Sequence, residues 1–204
     1  MPNSQVVHVI DDDVDVRQSL AFLLSTAGLA VRVHESAVAF LAALPGVQDG
    51  CVVTDIRMPD MDGLELQRRL RENGIGLPVI VMTGHADVAL AVAAMKAGAV
   101  DFIEKPFDDK ALLDAIQSAL TRHAQDAESR ARRSEIQARL DLLSVREREV
   151  LDGLVAGKPN KIIAFELGIS ARTVEVYRAN VMTKMRAESL SELVRMVLLD
   201  GGAA

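Results

Sequence analysis

The sequence predicts two domains: an α/β domain in which five parallel strands carry helices on both faces, then a smaller all-α domain. Three observations predict this. Strand-like and helix-like segments alternate through residues 1–123. Strands such as Pro78-Val79-Ile80-Val81-Met82 are apolar without interruption, as expected where helices cover both faces of a parallel sheet. Beyond residue 140, helix-start signals recur and no strand-like run separates them.

The elements follow in order. Strands are read at Val6–Ile10, Leu29–His34, Cys51–Thr54, Pro78–Met82 and Asp101–Glu104, and helices near Val14–Ala27, Ala37–Leu44, Leu64–Glu72, Val88–Lys96 and Asp109–His123. In the first helix, Val16, Leu20, Leu23 and Leu24 fall on one face. Five such units make a doubly wound sheet, whose ligands bind beyond the carboxyl ends of the strands. Residues 124–139 hold alanine, charge and few large apolar residues, a composition that favours helix but offers no wide apolar face, and read as a linker, in part helical, between domains at 1–123 and 140–204. Ile136, Leu140 and Leu143 form a heptad seam too short to define a coiled coil. Ser144-Val145-Arg146-Glu147 is a capping-box signature, opening a helix that stops at Gly157. Asn160 begins a short helix ending near Gly168, and Ser170 caps a longer one, Ala171–Arg186. Ser189-Leu190-Ser191-Glu192 is a second capping box, opening a last helix to Leu199. Two helices joined by a short glycine-containing turn are a helix-turn-helix candidate.

Bulk properties narrow the function. No apolar run is long enough to span a membrane, and the N-terminus lacks the basic and apolar regions of a secretory signal. The single cysteine, Cys51, cannot form an internal disulfide and reads as an inert core thiol, which favours the cytoplasm. The net charge of −6 divides into −7 for residues 1–123, +1 for 124–139 and zero for 140–204. The acidic first domain suits a cation site. Charge alone does not mark the last domain as a nucleic-acid binder.

Asp55 stands at the end of the strand Cys51–Thr54, and Asp11 and Asp12 at the end of Val6–Ile10. If those strands are neighbours, three carboxylates converge at one edge and repel one another unless a cation neutralises them. Phosphoryl transfer to a carboxylate needs a nucleophile, a metal and donors for the remaining charge. Asp55 is read as the nucleophile, Asp12 as the metal ligand with Asp11 supporting, and Lys105 and Thr83 as donors to phosphoryl oxygens. Mg²⁺ (or Mn²⁺) suits such an oxygen-lined edge. Taken singly, Asp11 and Asp12 equally suit capping of the first helix. Asp60 and Asp62 read as turn formers, and Asp13 as a minor contributor.

The segments Asp11-Asp12, Val53-Thr54-Asp55-Ile56-Arg57-Met58-Pro59-Asp60-Met61-Asp62-Gly63, Met82-Thr83-Gly84-His85 and Phe102-Ile103-Glu104-Lys105-Pro106-Phe107 resemble a bacterial two-component receiver domain over residues 5–122. The resemblance implies a flavodoxin-like fold and a sensor histidine kinase that donates phosphate to Asp55. It implies a metal held by Asp12, Asp55 and the backbone carbonyl of Arg57, supported by Asp11. Lys105 would contact the phosphoryl group, often with a cis bond before Pro106. Thr83 would move toward the phosphorylated Asp55 while Phe102 rotates inward as an aromatic switch.

In the helix after Ser170, the 100° step per residue gathers Val174, Tyr177, Val181 and Met185 on a buried face. Arg172, Glu175, Val176, Ala179 and Thr183 lie opposite, where a major groove would be met; Arg178, Asn180 and Lys184 flank them and suit phosphates. Glu175 suits a cytosine amino group, and Val176 or Ala179 a thymine methyl. Lys158 and Lys161 begin the preceding helix, where backbone N–H groups also favour phosphate. The runs Leu143–Leu151, Asn160–Ala164 and Ser170–Arg178, with Thr173 among them, resemble a LuxR-type DNA-binding domain over about residues 140–199. Relatives often carry lysine near the positions of Glu175 and Ala179.

The runs Met82–Val88, Ala94–Phe107 and Thr173–Met185 are similar to response regulators of nitrogen fixation. That resemblance implies control by an oxygen-sensing haem kinase, binding to double-stranded promoter DNA, engagement of RNA polymerase and activation of nitrogen-fixation or microaerobic genes. It also implies a homodimer when phosphorylated, through the Val88–Lys96 helix and the strand after it. Val92 and Lys96 are candidates for that face, Val92 fitting the core equally well. Two other readings stay open: a phosphate-independent adaptor and a small aspartyl-phosphate phosphatase. The phosphatase chemistry wants a second carboxylate two residues after the nucleophile, where Arg57 stands.

Overall fold

The computed structural model describes residues 5–47, 49–84 and 88–199. The chain divides into two compact units, Met1–Gln125 and Asp126–Ala204.

The first unit is built on strands β1 (Val6–Ile10), β2 (Ala30–His34), β3 (Gly50–Asp55), β4 (Val79–Thr83) and β5 (Asp101–Glu104), all parallel, in the order β2-β1-β3-β4-β5. The order reverses between β1 and β3, which opens a crevice beyond their carboxyl ends. Helix α1 (Val14–Thr26) and the first part of α5 (Asp109–Leu140) cover one face, and α2 (Ala37–Ala43), α3 (Gly63–Glu72) and α4 (Val88–Ala97) the other. Alternation along the strands decides which residue meets which layer. Val9, Cys51, Val53 and Ile80 pack with Leu20, Leu24, Leu112 and Ile116, whereas Ile10, Val52, Val79 and Val81 pack with Phe40, Leu66 and Leu70. Leu66 and Leu70, four residues apart on α3, are fully or almost fully buried, each contributing about 2 kcal/mol of apolar transfer.

Apart from the far end of α5, element ends differ from the expected ones by a residue, and caps account for several of the helical ones. Asp13 has extended backbone and its side chain accepts from the N–H groups of Asp15 and Val16, so it, and not Asp11 or Asp12, caps α1. Asp62 accepts from Glu65 N–H and lets Gly63 join α3. A Cβ on Gly63 would lie 2.5 Å from the Asp55 carbonyl oxygen, so only glycine brings α3 this close to the end of β3. Cys51 is fully buried and its thiol is pushed up to about 12 by burial, in keeping with an inert core residue.

The helix read as ending at His123 continues to Leu140. Residues 124–139, read as a partly helical linker, are helical throughout. No glycine or proline interrupts residues 109–140, and alanine, arginine, glutamate and glutamine there favour helix. From Ala124 to Glu135 every residue is exposed, consistent with the missing apolar face. Ile136 and Leu140 are then buried, but in the core of the second unit and not in a heptad seam.

That unit adds α6 (Val145–Val155), α7 (Asn160–Leu167), α8 (Ala171–Met185) and α9 (Leu190–Leu199). The Ser144–Glu147 capping box is present in both directions. The second box is shifted. Ser189 accepts from Glu192 N–H, but the Glu192 carboxylate takes the N–H of Glu188 and not that of Ser189. Gly168, left-handed at φ 65°, ends α7.

Candidate functional site

Strand register assembles the first site. Ile10 pairs with Thr54, so Asp11 falls beside Asp55; Asp55 pairs with Met82, so Thr83 lies one step beyond; Thr83 pairs with Glu104, and Lys105 follows. Lys105 N–H donates to the Thr83 carbonyl at 2.7 Å, and a cis bond joins Lys105 to Pro106. The Lys105 ammonium then donates to Asp55 Oδ1 at 2.6 Å and to Asp11 Oδ2 at 2.7 Å. The other oxygens are held by backbone: Asp55 Oδ2 accepts from Arg57 N–H at 2.7 Å, and Asp11 Oδ1 from Asp13 N–H at 2.9 Å. Asp11 is 1% and Asp55 8% exposed. Burial pulls the Lys105 pKa down, but hydrogen bonds and charge from Asp11 and Asp55 more than reverse it, leaving it raised.

The expected convergence of three carboxylates is only partly met. Asp11 and Asp55 share one cation, while Asp12 is exposed and lines an open cavity of about 630 Å³ with Arg57 and Asp62. Among the described residues, no three His, Cys, Asp or Glu side chains converge as a metal site. The donor chemistry still fits a small hard cation. Mg²⁺ is commonly held by one or two carboxylates with water completing its shell, and two buried carboxylates facing one ammonium leave a charge of −1. Thr83 is fully buried, and Phe102 is half-buried against the core beneath α3 and α4. Val92 is 45% exposed and Lys96 is exposed, so Val92 is a surface residue of α4 and not core. His85, Ala86 and Asp87 of the receiver-like run lie outside the described residues.

In the second unit α8 buries Val174, Val181 and Met185, with Tyr177 half-buried, and exposes Arg172, Glu175, Val176, Ala179, Asn180 and Thr183. Thr173 and Arg178 are half-buried, and the Thr173 hydroxyl lies 2.8 Å from the Ser170 hydroxyl at the cap. Gly153 lets α7 cross close to α6: a Cβ there would meet Ile163 Cγ1 at 2.8 Å. Lys161 is exposed at the start of α7. Two expected phosphate contacts are engaged inside the unit. Lys158 donates to both oxygens of Glu166, and Lys184 donates to buried Glu147 at 2.6 Å and to the Leu142 carbonyl at 3.1 Å. The Lys184 ammonium, followed by the capping N–H of Ser144, holds the Glu147 carboxyl down to about 2.

A parallel sheet that gathers Asp11, Asp55, Thr83 and Lys105 at one edge, followed by a helix-turn-helix unit, defines a response regulator: a receiver domain joined to a DNA-binding domain. The family described as "Response regulator receiver domain" matches residues 7–117, and "Bacterial regulatory proteins, luxR family" matches residues 141–197. The chain is 60% identical over 203 residues to the transcriptional regulatory protein FixJ of Azorhizobium caulinodans, covering 100% of this chain and 96% of that one. It is 57% identical to FixJ of Rhizobium meliloti, covering 96% of each. Full-length FixJ from B. japonicum superposes with a TM-score of 0.63 at 53% identity, over 99% of this chain and 100% of that one. The response regulator StyR superposes at 0.85 with 41% identity, over 96% and 99%. The chain belongs to the FixJ-type response regulators. It is a DNA-binding regulator activated by phosphorylation and not a turnover enzyme. The family works with a cognate kinase, DNA and dimerisation, and its phosphoaspartate chemistry uses a divalent metal. No helix among the described residues is long and apolar enough to cross a membrane.

The sequence reading missed the His8–His34 pair, Arg139 and the Glu147–Lys184 bridge. Only the capping box carried any signal for Glu147.

Proposed function

We propose that Asp55 accepts a phosphoryl group from a sensor histidine kinase, and that this switches promoter binding by the helix-turn-helix unit. The observation that carries the reading is the Lys105 ammonium held between two buried carboxylates at 2.6 and 2.7 Å. One cation for two carboxylates leaves the edge under-neutralised, which suits a further cation and then the phosphoryl oxygens. Asp12, Asp55 and the Arg57 carbonyl would hold Mg²⁺ (or Mn²⁺), with Asp11 supporting. The ion would neutralise phosphoryl oxygens as the new bond forms. Asp55 Oδ attacks phosphorus as the P–N bond to the kinase's phosphohistidine breaks and the imidazole leaves, while Lys105 donates to the phosphoryl oxygens and Asp11 keeps Lys105 oriented. The Thr83 hydroxyl supplies a further donor when it moves in, and Phe102 fills space as it does so.

The exposed Val88, Val92 and Met95 on α4 support a dimer face there, with Lys96 at its edge. A dimer places two α8 helices on half-sites about one turn apart. Arg172, Glu175, Val176, Ala179 and Thr183 face base edges. Lys161, Arg178 and Asn180 face phosphates, with Thr173, Lys158 and Lys184 behind them. Similarity to FixJ proteins supports activation of nitrogen-fixation or microaerobic genes, with RNA polymerase recruited in the cytoplasm. Replacing Asp55 with Asn should abolish phosphoryl uptake from acetyl phosphate; label retained on the variant would sink the assignment.

A further inference from the structure

The luxR-family match begins at residue 141, yet the fold of the second unit begins earlier. Ile136 and Leu140, on the last turns of α5, are 3% and 4% exposed in the core that holds Val174, Val181 and Met185 of α8. Between them stands Arg139, with a side chain 18% exposed. Its Nη1 donates to the Met185 carbonyl at 3.0 Å, and its Nη2 is held by Glu135 one turn earlier. Met185 is the last residue of α8, so its carbonyl is one of the four that a helix leaves without an internal partner. The turn after α8 serves others: Arg186, left-handed at φ 54°, and Ala187 direct their N–H groups to Met182 and Thr183. Arg139 serves Met185, and its charge sits at the negative end of the helix dipole.

We propose that Arg139 is a positioning residue for DNA recognition, pinning the carboxyl end of the recognition helix α8 to the tail of α5. The exposed face of α8 carries Glu175, Val176, Ala179 and Thr183 at helical spacing, so a small rotation displaces all of them from base edges together. Ile136 and Leu140 fix where the tail lies, and Glu135 fixes how the guanidinium points. The DNA-binding unit therefore needs residues 135–140, which precede the matched family segment.

The test uses the full-length chain with acetyl phosphate and a duplex enriched by the wild-type protein from a randomised pool. Arg139→Met keeps the aliphatic stem and removes the donors. Affinity for the enriched duplex should fall about tenfold, with little change for an unrelated duplex. The slope of log affinity against log salt should stay the same, because Arg139 touches no phosphate; a residue that did touch one would lower the slope by about 0.9 on removal. Arg139→Lys should recover part of the loss, since an ammonium can still donate to Met185. Unchanged affinity for Arg139→Met overturns the proposal, as does a slope lowered by that amount. If Arg139→Met does not fold, Glu135→Ala decides: a loss of about two- to threefold is expected, and wild-type affinity overturns the proposal.

Discussion

The two units each bury a carboxylate against a lysine, and they balance the charge differently. In the DNA-binding unit Glu147 meets Lys184 one to one, its Oε2 also accepts from Ser144 N–H, and the lysine finds a second acceptor in Leu142. Nothing there calls for another charge. In the receiver one ammonium serves Asp11 and Asp55 together. The first arrangement is complete and ties the start of α6 to the last turn of α8. The second is short of one positive charge and lies at the sheet edge where ligands bind. The same pairing of residues thus makes a closed brace in one place and, under the proposed function, a switch in the other.

The largest effect expected from breaking this contrast is at Lys105. Lys105→Met leaves two buried carboxylates without their cation and should cost about 3 kcal/mol at neutral pH. Chemical denaturation should also show part of that loss recovered with millimolar Mg²⁺, which Lys184→Met should not show. Overpacking of the second unit, where α7 crosses α6, comes next. Gly153→Val should destabilise the second unit by about 2 kcal/mol, because its Cβ would come within 2.8 Å of Cγ1 of Ile163, which is itself buried in the core.

Acid should separate the units. His8 Nδ1 lies 3.1 Å from His34 Nε2, and Phe40 packs on both rings. Burial, followed by the charges of His34 and Arg32, lowers the His8 pKa to about 4; burial and Arg32 lower that of His34. Below its ordinary value of 6.5 the unfolded chain binds protons that the folded pair refuses. The receiver should therefore lose roughly 2 kcal/mol as pH falls from 6.5 toward 4. Glu147 behaves later. Its depressed carboxyl contributes stability above its ordinary 4.5 that is lost only as pH falls toward 2. Amide exchange during acidification should show the sheet opening before α6–α8, and the reverse order would contradict this assignment. The smallest effect is at the cap: Glu147→Ala should cost about 1–2 kcal/mol, read from thermal unfolding of the second unit.

What the sequence made legible follows from the range of each interaction. Five strands alternating with helices were readable, and so were carboxylates at strand ends, because alternation and strand ends are local patterns. The role of Asp13 was not, since three successive aspartates offer three possible caps and only backbone geometry selects one. The length of α5 could have been read from the lack of glycine or proline through residue 140; its polar surface obscured it. The engagement of Lys184 was unreadable because Glu147 is 37 residues away. The His8–His34 pair needed strand register, which places His34 beside Ile10, two residues from His8.

The under-neutralised pair of carboxylates, as the switch for DNA binding, stands or falls on one comparison. Promoter fragments are footprinted with the wild-type chain and with Asp55→Asn, each with and without acetyl phosphate and Mg²⁺. Protection by the wild type should appear or tighten at least about tenfold with phosphodonor, and Asp55→Asn should show none of that gain. Equal protection in all four samples, or a phosphodonor response that survives Asp55→Asn, would mean that Asp55 is not the switch.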